Sequence, residues 1–496
     1  MFKVAKLVEW ENQRQPVDFI DDEEIWSTIH RAETRKSDPG VTRQLLEAIE
    51  AAAQGKALPG WAVADLLVND DPEVEQAAFA AARQVKESIY GNRVVLFAPL
   101  YISNYCVNAC TYCGYNCKNN LQRRRLTLKE IAEEVRILEA MGHKRLALEA
   151  GEDPVNCPIE YVVDAIETIY DTLQDNGAIR RVNVNIAATV IEDYEKLKAA
   201  GIGTYVLFQE TYHRPTYEAV HPRGPKHCYE WHTMAMDRAM MGGIDDVGIG
   251  VLYGLYDHRF EVLATLRHVR HLEEVFGVGP HTISVPRLRP AEGVSLDNYP
   301  YLVSDADFMK LVAVLRLAVP YTGLILSTRE TPKMRSTLLN LGVSQLSAGS
   351  NTGVGGYQEA SRSKAKSHSG LETTPASSIA DPPQFSLHDH RSLDEVVCSL
   401  AESGYLPSFC TACYRQGRTG DRFMALAKSG QIQHVCQPNA LLTLQEFIMD
   451  YGNDATRQAG EQLIAKELET LSGTEVGKKL EQDLKALRCG RRDIYY

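Results

Sequence analysis

Eight times between residues 93 and 350 the chain passes from a short apolar run into an amphipathic helical stretch. No other feature limits its fold as tightly. The runs at 94–102, 145–150, 181–187, 204–209, 246–252, 281–288, 323–328 and 343–347 are rich in β-branched and other apolar residues, as strands buried in a parallel sheet are. Helical periodicity separates them, for example over 127–141, 161–176, 231–241 and 305–319. Eight β/α units in this length are what a complete (β/α)8 TIM barrel needs. Residues 1–92 read as a helical extension, with apolar residues at helical spacing over 41–52 and 71–90. Residues 351–384 are rich in Gly, Ser, Lys and Pro and read as a connector. Beyond it, 385–496 reads as a mainly helical domain with helices over 393–403, 441–451 and 459–471. The expected fold class is therefore α/β.

Directly after the first strand comes Tyr105-Cys-Val-Asn-Ala-Cys-Thr-Tyr-Cys-Gly-Tyr115. Cys106, Cys110 and Cys113 have the spacing C-x3-C-x2-C. Iron–sulfur clusters are normally held by four cysteines, so three thiolates on a [4Fe–4S] cluster leave one iron open for chemistry. A zinc loop remains an alternative if Cys117 is a fourth ligand. Near the other end, Cys410, Cys413 and Cys436 form C-x2-C-x22-C, again three and not four. A zinc knuckle completed by His434 or Cys398 competes there. A first cluster favours a second.

A barrel places its chemistry at the carboxyl ends of its strands. The second strand ends in Glu149-Ala-Gly-Glu-Asp-Pro154. Others end in or carry Asn185, Glu210, Arg287, Arg329 and Ser347, and the sixth opens at His281. Such a mouth suits a zwitterionic substrate beside a zwitterionic cofactor, because arginine grips a carboxylate bidentately. Residue by residue, helix caps and structural ion pairs are an equal reading.

Composition narrows the function classes. The 496 residues carry a net charge of −12, which argues against a nucleic-acid or anionic-membrane surface. No signal peptide and no spanning apolar stretch is visible. Eleven cysteines in such a chain point to metal ligation in a reducing cytoplasm.

The C-x3-C-x2-C loop, the Leu148-Glu-Ala-Gly-Glu-Asp-Pro154 turn, His281-Thr-Ile-Ser-Val-Pro-Arg287 and C-x2-C-x22-C together resemble the aromatic amino-acid lyase branch of radical S-adenosylmethionine (SAM) enzymes. Within it the chain is most similar to the tyrosine lyases that mature [FeFe]-hydrogenase, along nearly its whole length. The thiamine-pathway relatives that make 2-iminoacetate lack the carboxyl-terminal triad. The resemblance implies that Cys106, Cys110 and Cys113 hold the SAM-binding [4Fe–4S] cluster. Ala150-Gly151-Glu152 would stand where the family has a Gly-Gly-Glu turn for the methionine amino group, departing from it at Ala150. Asn185 and Arg287 are further expected contacts of SAM. L-Tyrosine would break at Cα–Cβ into p-cresol and dehydroglycine, the latter giving carbon monoxide and cyanide, with Arg329, Glu210 and Ser347 as candidate catalytic residues. Cys410, Cys413 and Cys436 would hold an auxiliary [4Fe–4S] cluster with an extra labile iron, aided by His281 and free L-cysteine. A reductant such as ferredoxin or flavodoxin and other [FeFe]-hydrogenase maturation proteins are the implied partners.

Overall fold

The computed structural model describes residues 16–368 and 383–496. Four helices open it: α1 (Asp22–Arg35), α2 (Pro39–Ala53), α3 (Gly60–Val68) and α4 (Pro72–Tyr90). The start of α4 is written locally: the Asp71 side chain accepts from the Glu73 N–H, and Pro72 occupies the first turn, where a missing N–H costs nothing. Gly91, at φ 63°, ends the helix and turns the chain into the sheet.

Eight parallel strands follow: β1 (Arg93–Ser103), β2 (Arg145–Ala150), β3 (Arg181–Asn185), β4 (Tyr205–Val206), β5 (Val247–Gly250), β6 (Thr282–Ser284), β7 (Gly323–Leu326) and β8 (Gln345–Ser347). Each pairs with the next, and β8 pairs with β1 at Val95↔Gln345, so the sheet closes into a barrel. Closure removes the exposed edges an open parallel sheet would carry. Crossover helices fall between the strands, as in Leu128–Ala140, whose capping box joins Thr127 and Glu130.

β1 is longer than its neighbours, and its length positions the second cysteine triad. Its carboxyl half pairs with β2 from Ala98 onward. Val95 has partners on both edges, Gln345 of β8 and Ser408 of β9 (Leu406–Ser408). β9 therefore fills the edge of β1 below the start of β2, and Cys410 emerges beneath the barrel floor. One hydrophobic core runs from Ile25 of α1 through Leu96 of β1 to Leu484 near the carboxyl terminus.

All eight barrel strands lie within or beside the expected runs, several of them shorter. Three helical expectations and the connector need correction. The stretch 161–176 stops at Asp171, and a hairpin of Leu173–Gln174 with Gly177–Ala178 follows, turning at Asp175 with φ 50°. The stretch 231–241 breaks at Met234 into Tyr229–Thr233 and Ala235–Met241. The helix expected from 441 begins at Ile432 and passes through Pro438, because near-continuous burial from Pro438 to Ile448 outweighs one lost N–H. Part of the expected connector is the helix Gly356–His368, whose first N–H groups, at Tyr357 and Gln358, donate to the buried Glu134 carboxylate. Residues 369–382 of it lie outside the described residues.

Candidate active site and second cysteine chamber

The loop after β1 brings Cys106, Cys110 and Cys113 onto one cavity at the barrel mouth. Two backbone bonds hold this loop against the turn after β2: Val107 N–H donates to the Glu152 carbonyl at 2.8 Å, and Gly151 N–H to that of Ser103 at 3.0 Å. Gly151 is required sterically, since a Cβ there would stand 2.3 Å from the Tyr105 carbonyl oxygen. Asn108, between the first two cysteines, donates to Glu152 Oε2 at 2.6 Å and accepts from the Lys226 N–H at 3.0 Å. Tyr112 is buried, with its hydroxyl 2.8 Å from His221 Nε2.

Burial pushes the Cys106 thiol up to about 11 and raises Cys110 and Cys113 as well. Three buried or half-buried thiols on one cavity are a soft donor set that an iron–sulfur cluster converts to thiolates. Among the described residues no three His, Cys, Asp or Glu side chains converge tightly enough for a single metal ion. Cys117 does not line the cavity, so the zinc loop lacks its fourth ligand. The residues present fit the cluster.

Ala150, Gly151, Glu152, Asn185, Glu210 and Arg329 line this cavity with the cysteines. Glu210 is held at φ 71°, a left-handed conformation unusual for a non-glycine residue, and accepts from Lys226 Nζ at 2.7 Å. Burial works against the Lys226 ammonium, but Glu210, Cys110 and Cys113 hold its pKa above the ordinary lysine value. Ser347 stands deeper, facing the barrel lumen, with its Oγ accepting from the Thr328 N–H at 3.1 Å. Arg287 is a correction: it does not line the cavity. β6 ends at Ser284, and the departing chain turns Arg287 into an ion-pair group with Glu330 at 2.5 Å and Asp305 at 2.8 Å. Its fork is already filled.

A second chamber lies under the barrel floor, lined by Cys410, Cys413, Cys436, Arg93, Arg145 and His281 among others. Cys410 follows β9, Cys413 sits in the short helix Ala412–Arg415, and Cys436 in the helix Ile432–Asp450. Arg145 Nη1 donates to the Cys410 carbonyl at 2.8 Å. Cys413 and Cys436 hydrogen-bond to one another, which pushes Cys413 up and holds Cys436 down, with Arg93 favouring the Cys436 thiolate. His281 is buried just before β6, its Nδ1 3.5 Å from Asp246 Oδ1 and its Nε2 3.4 Å from the Tyr414 hydroxyl. Burial lowers its pKa. Neither His434 nor Cys398 lines this chamber, which removes both proposed zinc partners. The two chambers are linked in register. Successive inward residues of one strand run from floor to mouth, as in Arg145, Ala147 and Glu149 of β2.

Sequence reasoning missed Lys226, Arg93, Arg145, Asp246 beside His281, and the pair Gln384 and Phe385, which enter the mouth from the end of the connector. Only Asn108, set between two ligand candidates, carried a local signal.

An eight-stranded parallel barrel with this three-cysteine loop at its mouth defines a radical SAM enzyme, which implies a [4Fe–4S] cluster and SAM. The model of the Radical SAM superfamily matches residues 100–268, and that of the Biotin and Thiamin Synthesis associated domain matches 284–406. A crystal structure of HydG, a maturase of the [FeFe]-hydrogenase, is 57% identical, covers 97% of this chain and 100% of its own, and superposes with a TM-score of 0.90. HydG from Carboxydothermus hydrogenoformans is 39% identical over 94% of this chain and 100% of its own, with a TM-score of 0.78. The 2-iminoacetate synthase of Escherichia coli is 31% identical over 67% of this chain and 82% of its own length. The chain belongs to the HydG family of [FeFe]-hydrogenase maturases, within the HydG and 2-iminoacetate synthase branch of tyrosine lyases. Among the described residues no helix is long and apolar enough to cross a membrane.

Proposed function

We propose that this chain cleaves the Cα–Cβ bond of L-tyrosine to p-cresol and dehydroglycine. Dehydroglycine then yields carbon monoxide and cyanide for an iron–carbonyl–cyanide precursor of the hydrogenase cluster. That last step balances as HN=CH–COO⁻ to CO, CN⁻ and H2O. The observation that carries the reading is the pair of three-cysteine chambers at opposite ends of one barrel. In this reading residues 93–350 form the catalytic barrel, with 1–92 as its helical extension, and 385–496 cradle the second cluster.

A [4Fe–4S] cluster with SAM supplies, when bound, one electron and a 5′-deoxyadenosyl radical. Cys106, Cys110 and Cys113 hold it, and the Ala150-Gly151-Glu152 turn and Asn185 receive SAM. Arg329 clamps the tyrosine carboxylate, and its guanidinium carbon lies over the Phe385 ring, 3.3 Å from the centroid. Glu210 is fixed by Lys226 at the mouth. The lumen beyond, with Phe97, Phe208 and Ile325, excludes water from a reactive intermediate. Cys410, Cys413 and Cys436 would hold an auxiliary cluster, and His281 in the same chamber would offer an imidazole to an extra iron able to bind the diatomic products with free L-cysteine. A ferredoxin or flavodoxin delivers the electron in the cytoplasm, and other maturation proteins receive the product.

The test is anaerobic. Reconstituted protein is given SAM, L-tyrosine, L-cysteine and dithionite, p-cresol is assayed, and carbon monoxide is trapped by deoxyhaemoglobin. Both products are expected, with Cys410→Ala or Cys413→Ala suppressing carbon monoxide more than p-cresol. The identity to 2-iminoacetate synthase supports a second reading, cleavage that stops at dehydroglycine, and p-cresol without carbon monoxide would favour it. Neither product, with clusters intact, would sink the lyase assignment.

A further inference from the structure

Glu149, the penultimate residue of β2, faces the space where the cysteine-lined cavity opens into the lumen. Arg329 faces the same space from the loop after β7. Both are half-buried, and opposite charges half-buried over one cavity usually close on one another, because neither is fully solvated alone. Here no ion pair within 4.0 Å joins them among the described residues. Arg329 lies instead on Phe385, and Glu149 hydrogen-bonds with Asn185. Each acts on the other across the gap: Arg329 pulls the Glu149 carboxyl down, and Glu149 pulls the Arg329 guanidinium up. Burial outweighs that pull and pushes Glu149 up to about 8. Two opposite charges held apart over one cavity match the head of a zwitterion. Phe97, Phe208, Pro286 and Ile325 beyond them offer an apolar berth for a side chain.

We propose that Arg329 and Glu149 are a two-point receptor for an α-amino acid, in which Glu149 accepts a proton from the substrate ammonium. The identity of that amino acid rests on the lyase reading above; the amino-group half of the site is new. The step balances as R–NH3⁺ plus Glu149–COO⁻ giving R–NH2 plus Glu149–COOH, and no electron moves. It leaves a neutral amine at the edge of the cysteine-lined cavity, where a hydrogen atom must be taken. An ordinary carboxyl near 4.5 would return the proton to the amine; one near 8 competes for it. The other titratable groups here are Tyr101 of β1, which faces Glu149, and Cys113 and Glu210, which act on Arg329. Burial raises Tyr101, so it stays protonated while Glu149 titrates, and in the cluster-loaded protein Cys113 is a ligand and not a titrating group.

The test is binding to reconstituted holoenzyme with SAM and without reductant, by equilibrium dialysis. The ligands are L-tyrosine and 3-(4-hydroxyphenyl)propanoate, which lacks the amino group. Glu149→Gln should weaken L-tyrosine about 10- to 100-fold and leave the propanoate unchanged, while Arg329→Met weakens both. Equal weakening of both ligands by Glu149→Gln, or of neither, overturns the receptor. A second measurement needs no variant. The wild-type preference for L-tyrosine over the propanoate should shrink as pH falls from about 8.5 to about 6, and a constant preference overturns the receptor as well. If wild type makes p-cresol but Glu149→Gln binds L-tyrosine normally, the receptor fails and the lyase reading stands. If another α-amino acid, and not L-tyrosine, shows the Glu149 dependence, the lyase reading fails and the receptor stands.

Discussion

At the scale of single residues, the mouth depends on close approach. Gly151 lets the turn after β2 touch the cysteine loop, and Gly151→Val drives a side chain into the Tyr105 carbonyl. The expected result is a [4Fe–4S] cluster that still assembles but no longer shows a SAM-induced change in its electron paramagnetic resonance spectrum. His143 makes a separate point about stability. It is fully buried and, among the described residues, neither ring nitrogen has a hydrogen-bond partner. Burial lowers its pKa from 6.5 to about 3. The folded protein keeps it neutral while the unfolded chain takes up a proton below 6.5. Its contribution is thus complete above that value and is lost as pH falls towards 3. At pH 5 the loss is about 2 kcal/mol. His143→Leu should therefore flatten the fall in melting temperature of the apoprotein between pH 7 and pH 5; an unchanged slope would refute the assignment. The cysteines were legible as residues, because ligand spacing is a local property. Lys226 and Asp246 were not, because a lone charge acquires meaning only from what the fold sets beside it.

At the scale of elements, β9 is a strand of three residues with a large consequence. It pairs with the overhang of β1 and releases Cys410 beneath the floor. Leu406 is fully buried there. Leu406→Asp should loosen β9 and remove the second cluster while sparing the first, so that iron per chain falls by about half. Unchanged iron would show that the second chamber does not depend on this strand. Apolar β-branched runs made the eight barrel strands readable, since a strand buried on both faces must be apolar throughout. β9 escaped notice because Leu-Pro-Ser carries no such run; its pairing is a gift of the long β1. Arg287 misled for the opposite reason. Its position after a strand looked functional, but β6 ends early and the guanidinium finds Glu330 and Asp305.

At the scale of the molecule, two chambers share one lumen, and the inward residues of β2 mark the way between them. Ala147→Phe places a ring midway. It should lower carbon monoxide yield more than p-cresol yield, with both clusters retained by iron and sulfide analysis. Equal loss of both products would place the block at the tyrosine site instead. The sequence by itself determined the alternation that closes a barrel, the two cysteine triads and the family they belong to. Each is a short-range pattern: a period along a strand, a spacing within a loop. Only the tertiary structure decided that the triads stand at opposite ends of one barrel, that Arg287 is spent on an ion pair, and that Glu149 and Arg329 face one space without closing on each other. Those relations join residues far apart in the chain, and packing, which no local spacing encodes, sets their distances.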